Sequence, residues 1–226
     1  MRLLFRAALL LLPLSACNSD QVEHLSNTKE LAVEAENWQV KRIMPKDLLR
    51  ATGWAGDSLT RTTERELRQV LAAKLQEGGV AAALPFCRPA ALPATDSLAA
   101  VLQAALSWRS PRPRNPAHRA ALPPADLNAA DTTTRRVARP ATEEFTYQRP
   151  VVLNDAVCLR CHGEVGQDIA AADYALIQKQ YPQDQATGYR LGQSMGVWRA
   201  SFKRSGVAEL YTMKTRKVMK KRKPLF

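Results

Sequence analysis

Residues 195–203 read Met195-Gly196-Val197-Trp198-Arg199-Ala200-Ser201-Phe202-Lys203, and from Val197 onward their apolar and polar side chains alternate. A period of two places Trp198, Ala200 and Phe202 on one face of a strand and Val197, Arg199, Ser201 and Lys203 on the other. Two further segments carry a strand pattern, 104–109 and 144–153 (EFTYQRPVVL). Between 85 and 150 the chain holds ten of its 14 prolines, which rules out a continuous helical bundle there. The flanks read differently. Leu67, Val70, Leu71, Lys74 and Leu75 form a helical stripe within a segment starting near 59. Thr63-x-x-Glu66 fits a capping box, and Gly78-Gly79 ends the helix. A short apolar segment, VAAALPFCRPAAL (80–92), follows, with Pro85 and Pro89 limiting any helix in it, and a helix is expected near 168–180. The architecture these signals predict is α+β: a small antiparallel sheet with N-terminal helices.

The 226 residues are 46% hydrophobic and 24% charged, ordinary proportions for a folded chain. The formal charge of +12 is lopsided. Arg2 and Arg6 lie in an acid-free N-terminus, and seven bases crowd 214–226 (KTRKVMKKRKPLF), so the remainder is near neutral and no basic nucleic-acid face is implied. MRLLFR, the apolar run AALLLLPL and Ser15-Ala16-Cys17 read as a removable export signal too short to span a bilayer. Leu14-Ser15-Ala16-Cys17 resembles a bacterial lipobox, with Cys17 as the lipidated residue and several acyl chains giving stable anchoring. Asn18 in the next position points to the outer membrane. The expected organisation is a signal at 1–16, the lipidated Cys17 and a polar tether over 17–44, a domain over 45–205, and a solvated basic tail over 206–226.

Setting Cys17 aside leaves three of the four cysteines: Cys87, Cys158 and Cys161. Cys158-Leu159-Arg160-Cys161-His162 has the spacing of a c-type haem attachment site. Two thiols add across two vinyl groups fixed on a rigid ring, and the adjacent His lies under the iron. A zinc half-site lacks its second Cys/His pair, and a thioredoxin-like pair lacks its βαβ setting. One covalent haem c follows, with His162 as proximal ligand.

The CLRCHG segment continues into Tyr181-Pro182-Gln183-Asp184-Gln185-Ala186-Thr187-Gly188-Tyr189, then Gly192 and Gly196. With Arg114-Asn115-Pro116-Ala117 and the run from Gly78-Gly79 to Cys87, this resembles the bacterial c-type haem family with a PAS-like domain, typified by a cyanobacterial cytochrome with His/Cys iron ligation. The likeness covers roughly 45–205. The chain departs from the family pattern at His118, where Asn is usual, at ALPPADLNAAD, which lacks the usual Trp-Glu, and at Pro85. The resemblance implies a PAS-like fold and Cys87 as the distal iron ligand. Elimination points the same way: Cys87 has no disulfide partner left and lies in an apolar segment that solvates a thiolate poorly. His118 is second choice, His24 belongs to the tether, and Met195 or Met213 would serve only if 150–226 formed a small His/Met cytochrome. Arg114, Tyr189 and Arg190 are candidates to bind the haem propionates, while Trp198 and Phe202 are expected in the sheet core.

A thiolate ligand stabilises ferric iron, so the predicted function is a low-potential redox or gas sensor rather than an enzyme, facing the periplasm and signalling to an unknown partner protein. An electron-transfer cytochrome is the first alternative. A haem peroxidase, with His118 as distal acid/base, is the second.

Overall fold

The computed structural model describes residues 28–38, 42–87, 92–122 and 135–216. The expectations for the signal, Cys17, His24 and the end of the basic tail fall outside these residues. Helix α1 (Thr28–Trp38) belongs to one compact unit of the chain, and residues 42–215 form the other. No described helix is long and apolar enough to cross a membrane.

The larger unit begins with α2 (Pro45–Ala83). It starts well before the expected residue 59, because its first half is packed by small residues that carry little helical periodicity. Leu48, Ala51, Ala55 and Leu59 follow one another at three- or four-residue spacing and are all buried. They meet Phe145, Tyr147, Ala200 and Phe202 of the sheet. Gly56 lets the helix backbone approach the Tyr147 ring so closely that a Cβ there would lie 2.1 Å from ring carbons. Thr63 is no cap. Its hydroxyl donates to the Leu59 carbonyl at 2.8 Å, and the Glu66 carboxylate instead accepts the Ala94 and Thr95 N–H groups at 2.8 and 2.9 Å. Glu66 thus caps the next helix, α3 (Pro93–Val101). Helical geometry breaks at Gly78-Gly79 as expected, with Gly79 at φ +65°. A last short helical stretch then leads into a 3₁₀ turn, Leu84–Phe86, that delivers Cys87.

The sheet contains β1 (Ala104–Arg109), β2 (Arg136–Ala141), β3 (Glu144–Val152) and β4 (Ser194–Lys203) in the antiparallel order β1-β4-β3-β2. Three of these strands match the alternation pattern; β2 does not show it. Register places Trp108 and Arg149 opposite Trp198, and Phe145 opposite Phe202, so Trp198, Ala200 and Phe202 face the helices as predicted. Val197 departs from its expected polar face, being buried beside Pro150. A bulge between Val151 and Val152 coincides with Gly196, whose φ is +154° and where a Cβ would meet the Arg109 carbonyl at 2.2 Å.

A one-turn helix α4 (Leu159–His162) and α5 (Ala171–Gln180) lie between β3 and β4. The chain ends in α6 (Arg204–Thr215). Part of the segment expected as a solvated tail, 206–215, is therefore helix: Val207 is fully buried in the main core and Tyr211 stacks on Trp54 at 6.4 Å. The basic character misled because it begins only at the helix's last turn.

Candidate cofactor site

The CLRCH segment forms a 3₁₀ turn (Ala156–Cys158) running into α4. Asp155 starts it by accepting the Val157 N–H at 3.0 Å. Gly163 closes it, since a Cβ there would lie 2.4 Å from the Asp168 side chain. The loop over 184–189 is laced onto this turn by Tyr189 N–H to the His162 carbonyl at 2.9 Å and Gly188 N–H to the Gly163 carbonyl at 2.7 Å.

That lacing orients the imidazole. His162 is 5% exposed, and its Nδ1 lies 2.7 Å from the Ala186 carbonyl oxygen, an acceptor that requires Nδ1 to carry the proton. Nε2 is left as a lone-pair donor, the tautomer a metal-bound histidine needs. Burial, reinforced by the Arg114 charge, pushes the imidazole pKa down to about 3, so the ring is neutral. Asp184 supports the same carbonyl by accepting the Ala186 N–H at 2.8 Å. Arg114 pairs with Asp184 at 3.3 Å, the two side chains being 9% and 2% exposed, and also donates to the Cys161 carbonyl.

Cys158, Cys161, His162 and Cys87 line one apolar cavity. Its opposite wall is the Leu67, Leu71 and Leu75 stripe of α2, and Trp108, Leu153 and Met195 complete it. Val80 and Leu84 pack with Ile169 and Ile177 and set the Cys87 segment against α5. All three thiols are free. Burial pushes Cys158 and Cys161 up to about 11, helped by the Asp155 charge at Cys158 and by Cys87 at Cys161. Burial likewise raises Cys87, against the lowering charge of Arg114.

A second, polar cavity shares Cys87, His162, Trp108 and Met195 with the first but neither Cys158 nor Cys161. It holds Arg112, Arg114, His118 and Tyr189. Two of the three expected propionate partners therefore lie together. The third does not: Arg190 is exposed and lines neither cavity, its N–H going to Gln193 at 2.9 Å. Arg112 takes that place, stacked 4.7 Å from the Tyr189 ring centre. Nothing in the sequence distinguished Arg112 from other loop arginines. Met195 faces both cavities although it opens a strand, whereas Met213 lies exposed on α6. His118 borders the polar cavity, its pKa lowered by burial and Arg109. Among the described residues, no three His, Cys, Asp or Glu side chains gather to hold a metal by themselves. An imidazole and thiols around an apolar slot suit a haem iron, which brings its own equatorial ligands.

Known proteins bear on this arrangement. The crystal structure of the cyanobacterial heme-protein Tll0287 is similar to the chain at 20% sequence identity with a TM-score of 0.43, covering 71% of this chain and 97% of that one. No curated protein matches. The model of the Tll0287-like family matches residues 58–202, the stretch containing the leucine stripe, Cys87, the CLRCH turn and the loop beneath it, and the chain belongs to that family.

Proposed function

We propose that the protein binds one c-type haem, held by thioether bonds from Cys158 and Cys161, and acts as a low-potential redox or ligand sensor anchored through Cys17 to the outer membrane, facing the periplasm. The observation that carries haem binding is the His162 tautomer. Its Nδ1–H is spent on the Ala186 carbonyl and the ring lines a cavity shared with both attaching cysteines. When bound, the haem supplies a one-electron ferric/ferrous couple.

The chain's own residues then divide the work. Cys158 and Cys161 fix one edge of the ring, and His162 supplies Nε2 to the iron. Arg112, Arg114 and Tyr189 of the polar cavity, which contains neither Cys158 nor Cys161, would bind the propionates. Cys87 lines both cavities and would supply a second ligand to the iron. As a thiolate it stabilises ferric iron and lowers the potential; Arg114 compensates its charge. As a ligand able to leave, Cys87 would let the bound haem report a change of redox state or of ligand, the basis of sensing by a PAS-like fold. An unknown redox or signalling protein receives the change.

Protein matured in a host that attaches c-type haem tests the reading. The peptide spanning 158–162 gains the mass of one haem, and the ferric protein is low-spin. Cys87→Ser loses that signature and gains at least 100 mV in potential, about 2.3 kcal/mol per electron. A colourless product refutes haem attachment; an unchanged low-spin spectrum in Cys87→Ser refutes sulfur ligation. Electron transfer as the main role requires rapid reversible reduction with Cys87 still bound, and a peroxidase requires turnover of peroxide dependent on His118.

A further inference from the structure

A third concavity lies where the face of α2 carrying Asp57, Arg61, Glu64 and Arg68 meets Arg135 and the end of β3 at Arg149. The four α2 residues recur at spacings of four, three and four, so they form one stripe. Four arginines meet two carboxylates here, and every carboxylate oxygen is already engaged. Asp57 Oδ1 accepts the Tyr147 hydroxyl at 2.7 Å and Oδ2 pairs with Arg135. Glu64 Oε1 accepts the Trp198 Nε1–H at 2.9 Å and Oε2 pairs with Arg149 at 2.7 Å. Arg149 is further fixed by donating from Nε to the Thr60 hydroxyl at 2.7 Å. Arg135 and Arg149 are therefore neutralised and form part of the wall. Arg61 and Arg68 have no hydrogen bond or ion pair among the described residues, although both border the same concavity.

We infer that this concavity binds a small oxyanion carrying two negative charges, of the phosphate or dicarboxylate class, through the free guanidinium groups of Arg61 and Arg68. Two positive charges with no hydrogen-bond or ion-pair partner among the described residues set the charge of the ligand. A guanidinium presents planar donors suited to carboxylate and phosphate oxygens. The haem propionates are assigned to the polar cavity, which has no lining residue in common with this one. Arg68 and Glu64 also line the apolar cavity, and the Arg68 charge is felt at Cys158. An anion bound here thus sits one side chain away from the attachment turn.

The test is calorimetric titration of the purified protein, with its haem if attached, using inorganic phosphate and, separately, succinate at low ionic strength. One saturable site for either probe is expected. Affinity falls at least tenfold in the double variant Arg61→Gln/Arg68→Gln and is unchanged in Arg199→Gln, which alters an exposed arginine on the solvent face of the sheet. Raised salt weakens binding. If the glutamine variant does not fold, Arg61→Lys/Arg68→Lys replaces it, and a smaller loss is expected because the charges remain without the planar fork. The absence of saturable binding by both probes, or equal affinity in wild type and double variant, overturns the inference. So does a double variant that loses haem content or shifts the potential while wild type binds neither probe, because the arginines would then hold the propionates. Probe binding to protein that carries no haem would uphold this site even as the haem reading failed.

Discussion

Asp184→Asn removes one charge from the pair that Asp184 makes with Arg114 while leaving an oxygen in place to accept the Ala186 N–H. The pair is 3.3 Å apart and the two side chains are 9% and 2% exposed, so water screens it little. Removing one member of such a pair costs about 3–5 kcal/mol, chiefly because the remaining charge stays buried without compensation. At roughly 2–4 °C per kcal/mol for a domain of this size, the melting point drops by about 10 °C. Urea unfolding followed by far-ultraviolet circular dichroism measures the change, since the mutation alters ΔG with little effect on m. Arg114→Met/Asp184→Asn provides the companion measurement. With both charges gone and the Ala186 N–H still accepted, no buried charge is left uncompensated, so the double variant is more stable than Asp184→Asn alone. A loss below about 1 kcal/mol in Asp184→Asn, or a double variant worse than the single, would refute the view that this pair is a buried charge couple holding the loop under His162.

Gly56→Ala gains about 1 kcal/mol of helix propensity but drives a Cβ to 2.1 Å from the Tyr147 ring; thermal unfolding should show a net loss of about 1–3 kcal/mol. Glu66→Ala removes the acceptor of the Ala94 and Thr95 N–H groups and should cost about 1 kcal/mol in the same assay, the usual effect of a lost cap. In protein without haem, His162 has a folded pKa of about 3 against an ordinary 6.5, because burial opposes its charge. The unfolded chain takes up this proton first. The stability His162 contributes is complete above pH 6.5 and drains away as pH falls from there toward 3. His162→Gln should flatten that part of the stability profile, and an unchanged acid limb would exclude His162 as its source.

Much of the fold was legible in local pattern. The 104–109, 144–153 and 195–203 segments are read as strands because alternation survives in the residue types; one face is buried in β3 and β4 and half-buried in β1. β2 was missed because RVARPA is an edge strand, exposed at every position except Val137, so it has no apolar face to advertise. The first turns of α2 were missed for the opposite reason: Ala51, Gly53, Ala55 and Gly56 pack by closeness rather than bulk. Glu66 satisfied the spacing of a capping box while capping a different helix, a pairing 28 residues distant that no local pattern encodes. At the site, Cys158, Cys161 and His162 of the CLRCH segment and the leucine stripe, all read from local spacing, do line one cavity. The Ala186 carbonyl that sets the His162 tautomer is a backbone group and is invisible as a residue type. Arg190 and Arg112 are both loop arginines near the motif, and only the chain path separates the one that points to solvent from the one that enters the cavity.

The glycine pair at 78–79 divides α2 mechanically. Before it, the rod is clamped by Leu48, Ala55 and Leu59 against the sheet; after it, a few residues carry Cys87, seated by Val80 and Leu84 on α5. Gly79 holds a φ of +65° and a Cβ there would touch nothing within 4 Å, so the joint is unpacked on that side. Under the proposed ligation, a change at the Cys87 sulfur would be taken up by this short segment rather than by the clamped rod.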